Sequence, residues 1–413
     1  MKILHVNFVD LSGRRFNGYD LTDDLVSRGF SGKQAVLSKL SKNANVVSFI
    51  TSPADWDFQN ALEQVEDRHS MRNLLYPWGR VLAGMPEFRD ADVVHYHQIH
   101  NGVISLLDLP RLCALKPSVW TFHDPWPITG HCVYPLVCEG WLDRCSPCPY
   151  PELLFPMRED CAGRMWNIKR RIYSEIDIDV VVASEFMLDM IRRSPFASDF
   201  EHAHLIPFGI DASAYLPDEA KSASRKSLGI AQEDFVVLFR STDSPFKGLP
   251  SIIEALVAKP PARPTTLLTV ERRGRVSRLA NDYRVLELGW VENPALYARI
   301  LSACDVLLMP STAEAFGMMA LEAMAAGRTV ISFDGTAVPA LTHAPDCGIA
   351  VPMRDAASLR QALDLLATDG AEVERRGRLG RSIAVDEYRY TAYLDAVAAM
   401  YRTVYERQRS GGN

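Results

Sequence analysis

The sequence predicts an α/β protein built from two doubly wound domains in series. Three observations carry this. Length is the first: 413 residues exceed what one hydrophobic core serves. The second is alternation, short apolar runs of strand length recurring between helix-like segments, the pattern of a parallel sheet covered on both faces. The third is a restart. The alternation stops at a turn-rich segment from about Pro207 to Glu233 and then begins again.

In the first half, KILHVNF reads as a buried opening strand broken by DLSG. NVVSF, DVVHYH, SVWTF, DVVVAS and HLIPF follow as strands, with DLTDDLVSRG and SEFMLDMIRR as helices between them. After IPFGIDASAYLPD the strands are DFVVLFRS, TTLLTVE, VLELGW, DVLLMPS, TVISF and GIAVPM. Their helices are LPSIIEALVA, ALYARILSAC, FGMMALEAMAAG, which ends at Gly327, and DAASLRQALDLLA, which Asp355 caps. A tyrosine-rich helix, DEYRYTAYLDAVAAMYRTVYERQ, comes last, and the tail RQRSGGN reads as frayed. The expected divisions are residues 1–210, 211–385 and a closing helix over 386–413. In doubly wound sheets ligands sit beyond the carboxyl ends of the strands, so the chemistry is sought in the loops there.

Composition narrows the function classes. Apolar residues are 47% and charged residues 23%, ordinary for a soluble globular chain. A formal net charge of -6 argues against a nucleic-acid partner, whose binding needs a basic footprint. The start, MKILHVNFVD, is too short for a signal-peptide core, and no apolar run reaches membrane-spanning length. The chain therefore reads as cytoplasmic, where thiols stay reduced.

The strongest chemical signal is DVLLMPSTAEAFGMMALEAMAAGRTVISFDG, a strand–loop–helix–strand unit. Glu314, Ala315 and Phe316 precede the helix, and Gly317 and Met318 supply its first amides. Those N–H groups lack intrahelical partners and, with the helix dipole, form an anion site. A carboxylate beside an anion site makes sense when it accepts hydrogen bonds from hydroxyls of the same ligand. Glu322, one turn beyond Met318, shares that face and can hold a second pair of hydroxyls. An anion flanked by two sets of hydroxyls describes a nucleotide sugar. The competing reading takes both glutamates as helix-start and surface charges.

With its glutamates eight apart, EAFGMMALEAMAAGRTVI resembles the signature of retaining GT-B glycosyltransferases of family 4, also called glycosyl transferases group 1. LIPFGID (Leu205 to Asp211), Gly289-Trp290 and Lys247-Gly248 extend the resemblance over nearly the whole chain. It implies two Rossmann-like domains facing a central cleft, the first binding the acceptor and the second the donor, with the C-terminal helix crossing back to the first. It also implies that Glu314 contacts the donor sugar and Glu322 the ribose. Arg240 and Lys247, in VVLFRSTDSPFKGLP, look like the family's diphosphate-binding cations, although Phe239 stands where the family usually has glycine. Fixed cations stabilise a leaving diphosphate as its charge develops. No catalytic metal is expected, since no DxD motif lies in a suitable loop. Trp290 lines the nucleobase pocket or packs in the core.

The first-half loop FVDLSGRRFNGYDL offers Gly18 as the glycine that approaches the ligand, with a plain turn glycine as the alternative. In SVWTFHDPWPITGHC, His123 follows a strand directly and resembles the family's cleft histidine, with Asp124 beside it. In DVVHYHQIHNG, His95, His97 and His100 suggest packing or acceptor contacts, and His97 is taken as acceptor-side. The stretch HSMRNLLYPWGRVLAGMPEF either touches a membrane surface or lipid-linked acceptor, or is one more buried helix.

Cys132, Cys138, Cys145 and Cys148 account for half of the eight cysteines. Four thiolates spaced C-x5-C-x6-C-x2-C would close a structural zinc site with no open position. Reduced thiols or a disulfide are the alternatives. The surrounding WTFHDPWPITGHC…C…W…C..CP pattern resembles a bacterial exopolysaccharide subgroup that includes colanic-acid-type enzymes. The function expected is transfer of a hexose from a UDP- or GDP-sugar to a saccharide, in that subgroup a lipid-linked oligosaccharide at the inner face of the cytoplasmic membrane. A nucleotide-sugar epimerase on the same scaffold, a non-catalytic nucleotide-sugar-binding scaffold and a cysteine-based redox protein are the rival readings.

Overall fold

The computed structural model describes residues 1–215 and 220–410. Part of the boundary turn (216–219) and the last residues of the expected frayed tail (411–413) lie outside the described residues. The chain forms two compact units: residues 1–207 with 393–413, and residues 208–392.

Unit 1 carries seven parallel strands: β1 Lys2–Val9, β2 Ser31–Ser38, β3 Val46–Ser48, β4 Val93–Tyr96, β5 Ser118–Thr121, β6 Asp179–Val182 and β7 Ala203–Leu205. Their spatial order is β3-β2-β1-β4-β5-β6-β7. Strands β4, β5 and β6 are buried at every residue, which is why they read as continuous apolar runs. β2 was not expected. Its sequence, SGKQAVLS, opens with Gly32, Lys33 and Gln34 and shows no apolar run until Ala35. The helix expected in DLTDDLVSRG is only Leu21–Asp24, followed by the turn Val26–Arg28.

Unit 2 has six parallel strands: β8 Phe235–Ser241, β9 Thr265–Glu271, β10 Arg284–Gly289, β11 Val306–Met309, β12 Thr329–Phe333 and β13 Ile349–Val351, ordered β10-β9-β8-β11-β12-β13. Phe239, Leu308 and Phe333 on the sheet pack with Ile252 and Leu256 of helix Leu249–Val257 and with Leu359 and Leu363 of helix Ala356–Thr368. Burying each such side chain contributes about 1.5–3 kcal/mol. Asp355 caps the latter helix, its side chain accepting from the Ser358 N–H at 2.9 Å.

The C-terminal helix differs in its bounds from the expected one. Helix Gly370–Glu387 ends before Tyr388 and Arg389, and a separate helix runs Tyr390–Ser410. From Tyr393 this last helix belongs to unit 1. Tyr393 packs edge-on to Phe16, Tyr401 against Phe30, and Arg407 bonds Asp177 and Asp179.

In HSMRNLLYPWGRVLAGMPEF the residues Tyr76, Trp78, Leu82 and Phe88 are buried, while Leu75 and Val81 are exposed. The helical part is limited to Trp78–Gly84 and Pro86–Asp90. Among the described residues, no helix is long and apolar enough to cross a membrane.

Candidate functional site

In each unit the strand order reverses beside its first strand, between β1 and β4 and between β8 and β11. Doubly wound sheets bind ligands at the carboxyl ends flanking that switch point. A cavity of about 680 Å³ in unit 1 lies elsewhere: Lys2, Ser31 and Asp90 place it at the amino-terminal ends of β1 and β2, so it is not the candidate site.

The unit 2 switch point holds most of the donor-side residues read from sequence. Lys247 follows β8, Glu314 follows β11, and Lys247 Nζ donates to both Glu314 carboxylate oxygens at 2.9 Å. Both side chains are largely covered. Two backbone features bring the loops together. The Thr312 N–H donates to the Phe246 carbonyl at 2.8 Å, and Gly248 has φ 69° beside Pro310, whose carbonyl oxygen a Cβ would overlap. The Ala337 N–H, donating to the Glu314 carbonyl at 3.1 Å, anchors the loop from behind.

Gly317 caps helix Met318–Ala325 with φ 106°, a left-handed conformation that favours glycine, and a Cβ there would lie 3.0 Å from Val338. Ala315 and Phe316 are buried, and the Phe316 ring packs on Phe208 and Tyr388. Met318 is half-buried at the helix start. On the same helix, Glu322 accepts from Tyr215 at 3.0 Å and from Tyr297 at 2.9 Å. Burial, then the Glu322 carboxylate, push the Tyr297 hydroxyl's pKa well up, so it stays a donor.

Arg240, the last residue but one of β8, pairs with Glu271 at the end of β9 through Nε–Oε1 at 2.7 Å. Trp290 lies just past β10 and is 72% exposed, so it is not the core-packing residue that one reading allowed. Glu271, Tyr215 and Tyr297 were not singled out in the sequence. For Glu271 the available signal was its place at a strand's carboxyl end beside Arg240; the tyrosines gave none.

In unit 1, His5, His95, His97 and His123 form one row, the first three buried and His123 half-buried. His5 Nδ1 lies 3.1 Å from His97 Nε2, and His97 Nδ1 lies 3.1 Å from His123 Nε2. His95 joins the side of the row, bonded to Tyr401 at 2.6 Å and Thr121 at 2.7 Å. Burial pushes His5 down to about 3 and His123 to about 4, with His95 and His97 well below the usual range. At neutral pH the row is uncharged, and each N···N contact takes one N–H and one lone pair.

His100 turns away from this row to Asp124, at 3.3 Å, and stacks on Trp126. Burial raises the Asp124 carboxyl, but His100 and the Trp126 N–H at 2.9 Å outweigh it and hold its pKa below the usual value. Gly18 has φ 99° and lies against His5, whose ring a Cβ would overlap. His5 escaped the sequence reading, although a polar residue inside an otherwise apolar, doubly covered strand was a usable signal. Among the described residues, the one group of His, Cys, Asp or Glu with three ligand atoms within 4.8 Å of one another is His5, His95 and His97.

The four clustered cysteines are free thiols around one small cavity of about 20 Å³, but no three of their sulfurs meet that 4.8 Å spacing. Burial pushes Cys132 up to about 12 and Cys145 to about 11.

Comparison with known proteins agrees with this architecture. Residues 38–214 match the family described as Glycosyltransferase Family 4, and residues 235–369 match Glycosyl transferases group 1. The chain is 26% identical over 337 residues to an MMP alpha-(1->4)-mannosyltransferase of Mycolicibacterium hassiacum, covering 79% of this chain and 73% of that protein. It is 34% identical over 91 residues to the putative colanic acid biosynthesis glycosyl transferase WcaC of Escherichia coli, 20% of this chain and 22% of that one. The Anabaena Alr3699/HepE structure, solved with UDP and glucose, superposes with a TM-score of 0.67 at 19% identity, covering 98% of this chain and 100% of that one. The chain belongs to the family 4 (group 1) glycosyltransferases and has their GT-B fold of two Rossmann-like parallel-sheet domains.

Proposed function

We propose that this glycosyltransferase moves a hexose, with retention, from a UDP- or GDP-sugar to a hydroxyl of a saccharide in cell-surface polysaccharide or glycolipid assembly. The observation that carries the donor reading is the Lys247–Glu314 pair at the unit 2 switch point, with Glu314 three residues before the Gly317 helix start. Lys247, Arg240 and the Gly317–Met318 amides hold the diphosphate, and Glu314 accepts from hydroxyls of the donor sugar. Glu322, already fixed by two tyrosine hydroxyls, takes the ribose. Exposed Trp290 stacks on the base.

In the reaction the bond between the sugar's C1 and the diphosphate oxygen breaks. The departing oxygen takes the proton of the acceptor hydroxyl, whose oxygen bonds C1 on the same face. Arg240 and Lys247 stabilise the diphosphate charge as it develops. His123 stays neutral and hydrogen-bonds sugar hydroxyls, with His97 and Asp124 on the acceptor side. The names of the WcaC and mannosyltransferase relatives support a saccharide acceptor, and a lipid-linked oligosaccharide is the form we assign to it. The test is release of nucleoside diphosphate from UDP- and GDP-hexoses with mass analysis of the products. Hexose added to the acceptor is the expected result, whereas isomerised nucleotide sugar without transfer would identify an epimerase.

A further inference from the structure

We propose that Cys132, Cys138, Cys145 and Cys148 bind one zinc ion as a closed four-thiolate site, with buried Lys169 supplying the balancing cation. The site rests on its own geometry, independent of the donor assignment.

From Thr129 to Cys161 the one regular element is the three-residue turn Gly140–Leu142. So long a stretch without secondary structure, inside a compact unit, needs a fastening other than its own apolar core. All four cysteines help line one cavity of about 20 Å³, room for one water-sized atom, although no three of their sulfurs lie within 4.8 Å of one another. Two backbone N–H groups point at sulfur as they do at thiolates: Gly130 to Cys145 at 3.1 Å and Gly140 to Cys138 at 3.3 Å. His131 borders the cavity too, and its Nε2 makes no hydrogen bond, but four thiolates already complete a tetrahedron.

Charge supplies the second, independent line. A divalent ion with four thiolates carries a net charge of about -2. Lys169 is wholly buried, and its ammonium bonds the carbonyls of Trp126 at 2.5 Å and Thr129 at 2.8 Å, groups without net charge. A buried cation is costly unless a counter-charge lies near, and the acidic groups that act on Lys169 are Cys145, Cys132 and, with the smallest effect, Asp124. The link is one peptide group. The Thr129 carbonyl accepts from Lys169, and the N–H of the same peptide, on Gly130, donates to Cys145. The peptide dipole thus has the cation at its oxygen and the sulfur at its hydrogen, the favourable sense at both ends.

Zinc bonds of about 2.3 Å hold tetrahedral sulfurs about 3.8 Å apart, so binding draws the loop in by at least about an ångström. The consequence reaches the unit 1 site. Lys169 also holds Trp126, its ammonium 3.5 Å from the ring centre, and Trp126 stacks on His100, the partner of Asp124.

The test is metal analysis of the full chain, purified under reductant, supplied with zinc and desalted, together with the absorption spectrum after cobalt(II) exchange. We expect one zinc per chain, a tetrahedral four-thiolate cobalt spectrum, loss of metal in Cys145→Ser and Cys148→Ser, and retention in His97→Gln. Zinc far below one equivalent, a cobalt spectrum with a nitrogen ligand, or metal kept by both serine variants but lost in His97→Gln would each overturn the assignment. Should the serine variants fail to fold, the cobalt spectrum of the unaltered chain still decides.

Discussion

Lys247 donates from one ammonium to both oxygens of Glu314, at 2.9 Å each, joining the loop after β8 to the loop after β11. The pair keeps two largely buried charges compensated until a ligand carrying both an anion and hydroxyls engages them together.

Removing either partner should have distinct effects. Lys247→Ala leaves Glu314 uncompensated and removes a diphosphate cation, so stability should fall by roughly 1–3 kcal/mol. Nucleotide affinity should fall as well. Glu314→Gln keeps size and hydrogen bonding but no charge, so nucleoside diphosphate should still bind while turnover drops steeply. Urea denaturation and steady-state kinetics on both variants check this. Equal loss of nucleotide binding in the two would count against the assigned roles.

Gly248→Ala should be the more damaging of two glycine substitutions. Both positions have positive φ, which costs an alanine about 1–2 kcal/mol. At Gly248 the added methyl also overlaps a backbone carbonyl, whereas at Gly317 it meets the movable side chains of Val338 and Leu341. The melting temperatures of the two variants should rank accordingly, Gly248→Ala lower.

Trp290→Ala should leave stability within about 0.5 kcal/mol, because the ring is 72% exposed. Affinity for the nucleotide should nevertheless fall several-fold, and fluorescence of the unaltered chain should quench on nucleotide addition. Unchanged affinity would remove Trp290 from the base pocket.

The histidine row makes stability pH-dependent. Folding lowers the pKa of His5 to about 3 and of His123 to about 4, against about 6.5 in an unfolded chain. Below about pH 6.5 the unfolded chain therefore binds protons that the folded chain does not, and the unfolding free energy falls as pH drops toward the folded values. His5 alone should account for a loss on the order of a few kcal/mol over that window. Urea midpoints near neutral pH and near pH 5 measure it, and the His5→Gln, His97→Gln double variant should show a flatter dependence.

The sequence made much of this legible because parallel strands buried on both faces read as apolar runs. β11 and β12 in unit 2 and β4 to β6 in unit 1 are of this kind. β2 was not legible: its first half is polar, and Gln34 is buried by bonding the Asn17 carbonyl at 2.9 Å, a partner far along the chain. Glu314 and Glu322 could be read because their spacing within one βαβ unit is local, and Lys247 because it sits between the end of β8 and the helix that follows. The tyrosines that hold Glu322 come from Tyr215 and Tyr297, distant in sequence, so no local pattern announces them. The histidine row is hidden for the same reason. It is assembled by β1, β4 and the loop after β5, and only strand order makes neighbours of them.

Calorimetric titration of the full chain with UDP- and GDP-hexoses, repeated on Lys247→Ala, tests the donor site most directly. We predict that one of these nucleotide sugars binds with a single site per chain and that Lys247→Ala weakens it at least about tenfold, near 1.4 kcal/mol. Absence of binding to every nucleotide sugar, or equal affinity in the variant, would contradict the account.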